Sequence, residues 1–73
     1  MEIENQLKVW RARFDITQEQ LAAAVGLSRQ TIHSIERGKF IPSVLSALKI
    51  ARYFQTPVET IFHLKEKEYD TER

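Results

Sequence analysis

Apolar residues along this chain recur at helical spacing in five stretches. Ile3, Leu7, Trp10 and Phe14 lie four, three and four residues apart, the interval that returns side chains to one face of an α-helix. They predict a first helix from about Asn5 to Phe14, with Arg11 beside the apolar stripe. Thr17 followed by Gln20 reads as a capping box, in which each side chain bonds the other residue's backbone N–H. A second helix starts there, with Leu21, Ala22 and Val25 inward, and ends at Gly26, where positive φ costs glycine little. Ser28 caps a third helix that stops before Gly38. The link Val25-Gly26-Leu27 leaves room only for a sharp corner.

Two further helices follow. Pro42-Ser43 opens the fourth, whose inward stripe is predicted as Val44, Ala47, Leu48, Ala51 and Phe54. Thr56 is expected to cap the fifth, with Pro57 at its first position and Glu59 completing a second capping box. Val58, Ile61 and Phe62 would then face inward. No strand alternation stands out, so the expected fold is all-α, a compact bundle of five helices. Beyond Leu64 the chain is almost wholly charged. Residues 1–64 are therefore expected to form the domain and 65–73 a charged tail, frayed or disordered.

The third helix divides sharply when wound at about 100° per residue. Ile32 and Ile35, with Thr31, fall on one side and should anchor it. Arg29, Gln30, His33, Ser34 and Arg37 fall on the other, and Glu36 lies on the boundary. Long donors and acceptors on an exposed helix suit base reading in the major groove of double-stranded DNA. Arginine can make two bonds to guanine and glutamine two to adenine, and the first turn of such a helix reaches deepest.

Composition sets limits on this picture. The chain has 73 residues and no cysteine, and its two histidines stand thirty positions apart. Disulfides are excluded, and neither a metal site nor a cofactor is expected. A domain this small needs tight helix packing, a partner subunit, or both. No apolar run approaches the ~20 residues of a membrane span, and the N-terminus is acidic where a secretory signal would be basic. A cytoplasmic location is expected. Net charge is only +1, so a nucleic-acid partner must be argued from where charges sit. No catalytic constellation or phosphate-binding loop is visible, and an enzyme is not expected.

The run Thr17-Gln18, Leu21-Ala22, Gly26, Ser28-Arg29-Gln30-Thr31-Ile32, Ile35-Glu36, Gly38 and Pro42-Ser43 resembles the phage-repressor/Cro helix-turn-helix family, also called the xenobiotic-response-element family. The resemblance spans about Leu7 to Phe62 and implies a lambda-repressor-like domain whose second and third helices form the DNA-binding unit. It implies roles residue by residue. Arg29, Gln30, His33 and Ser34 match base-reading or groove-facing positions. Gln18 matches a glutamine that bonds a phosphate and braces the start of the third helix. Thr17, Ser28, Arg37, Lys39 and Phe40 match positions along the DNA backbone. Arg11 and Glu36 match an internal salt bridge. Asp15 departs from a frequent glycine and Trp10 from a usual leucine; the tryptophan is read as packing.

One recognition helix meets too few base edges for tight binding, so a homodimer reading two half-sites is expected. Its contact is predicted around Val58, Ile61, Phe62 and Leu64, with Leu45. The leading function is a transcriptional regulator, expected to act as a repressor because no second domain is evident. The alternative is an antitoxin-like or bridging subunit whose helices chiefly bind another protein.

Overall fold

The computed structural model describes residues 2–65. The elements run β1 (Glu2–Asn5), α1 (Leu7–Arg13), α2 (Gln18–Val25), α3 (Arg29–Glu36), α4 (Val44–Tyr53), α5 (Val58–Ile61) and β2 (Phe62–Lys65). All five helices form, and the caps read from the sequence account for three starts. Gln20 N–H donates to Thr17 Oγ1 at 3.0 Å while Thr17 N–H donates to Gln20 Oε1 at 2.8 Å, closing the capping box. Ser28 Oγ accepts from Thr31 N–H at 3.0 Å, and Ser43 Oγ from Ser46 N–H at 3.1 Å. Gly26 ends α2 at φ 75°, where a side chain would be strained. That left-handed step lets Leu27 N–H reach back to Ala22 O at 2.9 Å.

The core is made by Leu7, Leu21, Ala22, Val25, Ile32, Ile35, Ile50, Ala51, Phe54 and Ile61, with Trp10, Ile16, Leu27, Val58 and Phe62 packed against it. Trp10 does pack, its ring centroid 6.0 Å from that of Phe54.

The fold is not purely all-α. β1 and β2 pair antiparallel, joining the two ends of the described chain, with Glu2 opposite Lys65, Ile3 opposite Leu64, Glu4 opposite His63 and Asn5 opposite Phe62. Glu2 and Lys65 are an opposite-charge pair and Ile3 and Leu64 an apolar one; each such cross-strand pair adds a fraction of a kcal/mol. His63 Nε2 lies 3.1 Å from Glu4 Oε1. Ile3 therefore belongs to a strand, and the first helix begins at Leu7 instead of Asn5. Phe14 caps it, and Asp15 follows at φ 55°, a region aspartate tolerates better than most side chains.

The fourth helix is turned relative to the expected stripe. Ile50, Ala51 and Phe54 are buried, whereas Val44 is 77% and Leu48 50% exposed. This helix carries two apolar arcs, and periodicity alone does not say which one meets the core. The fifth helix lacks the second capping box. Pro57 is its N-cap at φ −61°, ψ 147°, and no side chain caps it. Gln55 takes φ 57° to close α4, and Thr56 N–H bonds Ala51 O at 3.1 Å. Thr56 is thus part of the previous helix's exit, one residue too early to start α5. Lys65 lies in β2 rather than in a tail, and residues 66–73 lie outside the described residues.

Candidate nucleic-acid interface

Helix α3 presents the side chains that the sequence assigned to base reading. Its inner face is fixed by Ile32 and Ile35, which are fully buried. Opposite them, Arg29, Gln30, His33 and Ser34 line one open concavity together with Gln18 from α2. Arg29, Gln30 and His33 are exposed and Ser34 half-buried. Ser28 satisfies the Thr31 N–H, so the first two N–H groups of α3, those of Arg29 and Gln30, are the ones the helix leaves for an acceptor outside it. Thr17 and Ser28 both use their hydroxyl oxygens to cap helices, which ties these two positions to local structure.

Arg37 and Lys39 continue the positive edge past the end of α3, both exposed. Gly38, at φ 75°, turns the chain there, and Lys39 N–H returns to Ser34 O at 2.9 Å. Phe40 is half exposed.

Behind the concavity stands a polar cluster. Arg11 Nε donates to Glu36 Oε2 at 2.6 Å and Arg11 Nη2 to Glu36 Oε1 at 3.2 Å. Arg11 Nη1 also donates to Ile16 O at 3.0 Å. The side chains are only 17% and 6% exposed. The bond from Glu36 raises the Arg11 guanidinium above its ordinary value, burial opposes this, and charge attraction to Glu36 adds to it. The two residues therefore meet as expected, and the forked geometry is the stronger kind of ion pair. One partner was not foreseen: Gln18 Nε2 donates to Glu36 Oε1 at 3.0 Å. Nothing local marks this contact, because it joins the first turn of α2 to the last of α3.

Asn5 was also missed as a positioning residue. Its Nδ2 donates to Ile35 O at 2.9 Å, and its Oδ1 accepts from Leu7 N–H at 3.1 Å. It ties the N-terminal strand to the end of α3 and to the start of α1. An asparagine just ahead of a helix was the available signal, since its side chain readily bonds nearby backbone groups.

A profile of the helix-turn-helix family matches residues 7–61, the segment that carries α1 through α5. The chain belongs to the helix-turn-helix family, in its phage-repressor/Cro type. Helix-turn-helix relatives cover almost all of it. The uncharacterized HTH-type transcriptional regulator YgzD of Bacillus subtilis is 45% identical over 65 residues, which is 89% of this chain and 98% of that protein. The uncharacterized HTH-type transcriptional regulator MJ0272 of Methanocaldococcus jannaschii is 47% identical over 66 residues, 90% of this chain and 100% of that protein. Among solved structures, the restriction-modification controller protein C.AhdI of Aeromonas hydrophila superposes with a TM-score of 0.70 at 30% identity, over 74% of this chain and 82% of that one.

Among the expected dimer residues, Ile61 is fully buried in the core and so is unavailable to a partner. Val58 and Phe62 are partly buried against that core. Leu64 and Leu45 are exposed, at 60% and 63%. Among the described residues, no helix is long and apolar enough to cross a membrane.

Proposed function

We propose that this protein is a sequence-specific DNA-binding transcriptional regulator, acting as a repressor, that reads the major groove as a homodimer in the cytoplasm. The observation that carries the reading is the two-sided build of α3: buried Ile32 and Ile35 behind, exposed Arg29, Gln30 and His33 in front. The relatives' names, HTH-type transcriptional regulators, support the regulator part of it. Arg29 and Gln30 are assigned to base edges, His33 and Ser34 to the groove, and Arg37, Lys39 and the Phe40 backbone to phosphate. Selection of bound sites from random duplexes tests the reading. The expected product is a two-fold symmetric site with half-sites about 34–36 Å apart; enrichment of no sequence over the starting pool refutes it.

The dimer contact is better placed on α4 than on the segment from Val58 to Phe62. Leu45 shares an exposed face with Val44 and Leu48, and Ile41 precedes them at 63% exposure. Contiguous apolar surface of this kind marks an interaction site more often than an isolated exposed leucine does. Leu48→Glu is expected to leave the fold intact and to abolish self-association in sedimentation at micromolar concentration. A variant that sediments like the wild-type dimer excludes this face. A wild-type chain that sediments only at 8.6 kDa removes the homodimer and favours the antitoxin-like or bridging reading, with another protein on α4.

A further inference from the structure

One side chain, that of Asn5, bonds the start of one helix and the end of another. Its Oδ1 accepts from the N–H of Leu7, the first residue of α1, and its Nδ2 donates to the carbonyl of Ile35 in the last turn of α3. Both partners are backbone groups, one able only to donate and the other only to accept, so the amide has a single workable orientation. Asn5 is half-buried, and its own backbone is held in β1 opposite Phe62. Its neighbour adds to the anchorage, with Gln6 N–H donating to Ile61 O at 2.8 Å.

What Asn5 holds is the exit of α3. Ile35 O also accepts from Gly38 N–H at 3.0 Å, while Arg37 N–H bonds His33 O at 3.1 Å and Lys39 N–H bonds Ser34 O at 2.9 Å. Those three bonds stay within residues 33–39, so they fix the shape of the turn and not its place on the body. Arg37, Gly38 and Lys39 are all exposed. Arg11 holds Glu36 by its side chain, whereas Asn5, thirty residues away, holds the backbone from which the turn springs.

We propose that Asn5 sets the place of the phosphate-facing turn, so that Arg37 and Lys39 meet the DNA backbone without first having to be ordered. This rests on the DNA-binding reading given above. The side chain touches no DNA and reads no base. Its effect must therefore appear as affinity for every duplex, and must run through the two cations beyond α3.

The test uses Asn5→Ser and Asn5→Asp. Serine is neutral and can still accept from the N–H two residues on, but it is too short to reach Ile35. Aspartate keeps the length and the acceptor and loses the donor. Binding is measured on the selected duplex and on versions with each base pair replaced in turn. Both variants are expected to bind every duplex about threefold to tenfold more weakly, the worth of one hydrogen bond, with the preferred base at each position unchanged. Combined with Arg37→Ala and Lys39→Ala, Asn5→Ser should cost less than about twofold further, because the groups it positions are gone; combined with Arg29→Ala it should cost its full factor. A full loss in the background lacking both cations overturns the proposal. Weakening by Asn5→Asp alone assigns the effect to the added charge and also overturns it. So does a changed preference at any base pair, which would mean that α3 as a whole has shifted.

A second readout needs no DNA. Amide hydrogen exchange of the free chain reports local opening residue by residue. Gly38 and Lys39 should exchange about threefold to tenfold faster in both variants, while amides in α2 and α4 keep their wild-type rates. Unchanged exchange at Gly38 and Lys39 overturns the proposal, and equal acceleration across α2 and α4 overturns it in favour of a general loss of stability. If no duplex is ever selected, the DNA-binding reading falls, while the exchange rates still decide whether Asn5 holds the turn.

Discussion

Glu36→Ala is expected to remove about 3 kcal/mol of folding stability, the cost of breaking a largely buried ion pair from one side. The substitution strips two bonds from Arg11 and one from Gln18. It leaves the guanidinium of Arg11, whose side chain is 17% exposed in the intact protein, with its bond to the Ile16 carbonyl. A domain of this size has about 4–11 kcal/mol to lose, so the change takes a large share of the total. The denaturant midpoint should fall with little change in slope, because the surface exposed on unfolding is nearly the same. The double variant Arg11→Met with Glu36→Leu should lie closer to wild type than Glu36→Ala does, since it removes the stranded charge along with the pair. A Glu36→Ala protein that unfolds at the wild-type midpoint contradicts the assignment. DNA affinity should fall in both proteins, because each frees Gln18 from Glu36 Oε1.

What the sequence disclosed and what it concealed divide by distance along the chain. Thr17 with Gln20, Ser28, Ser43 and Gly26 act within one helical turn, so their signals are complete in a few residues. The opposed faces of α3 follow from one helical period. The pairing of Glu2–Asn5 with Phe62–Lys65 is different, because each strand is four residues long and neither carries a strand pattern alone. Ile3 therefore fitted a helical stripe as well as a strand. On α4 the difficulty was an excess of signal. Val44 and Leu48 form one apolar arc, and Ile50 and Phe54 another; only the packing against α2 and α5 shows that the second is the core. The Arg11–Glu36 pair came from resemblance and wheel position, yet the third member, Gln18, required the crossing of two helices in space. The part of the site left unread was thus its supporting layer, which is built from contacts distant in sequence.

Arg29→Ala and Lys39→Ala are expected to separate base reading from backbone attraction. Arg29 stands at the first position of α3 with its side chain in the same concavity as Gln30 and His33. Losing a bidentate bond to guanine removes about 1–3 kcal/mol of discrimination at one base pair. In a two-fold dimer each substitution acts in both half-sites, so the symmetric site loses about 2–6 kcal/mol, while binding to unrelated duplexes changes little. Gln30→Ala should relax a neighbouring base pair in the same way. Lys39 lies beyond the left-handed Gly38, where a cation meets phosphate but no base edge. Lys39→Ala should weaken every duplex alike and flatten the log–log salt dependence by about one unit per protomer. The near-neutral chain makes this contrast informative, because a net charge of +1 supplies little general attraction to DNA. Specific binding must then come from a few well-placed groups, and removing one of them should show as a change in sequence preference. Unchanged preference in both Arg29→Ala and Gln30→Ala would show that α3 does not read bases through its first turn.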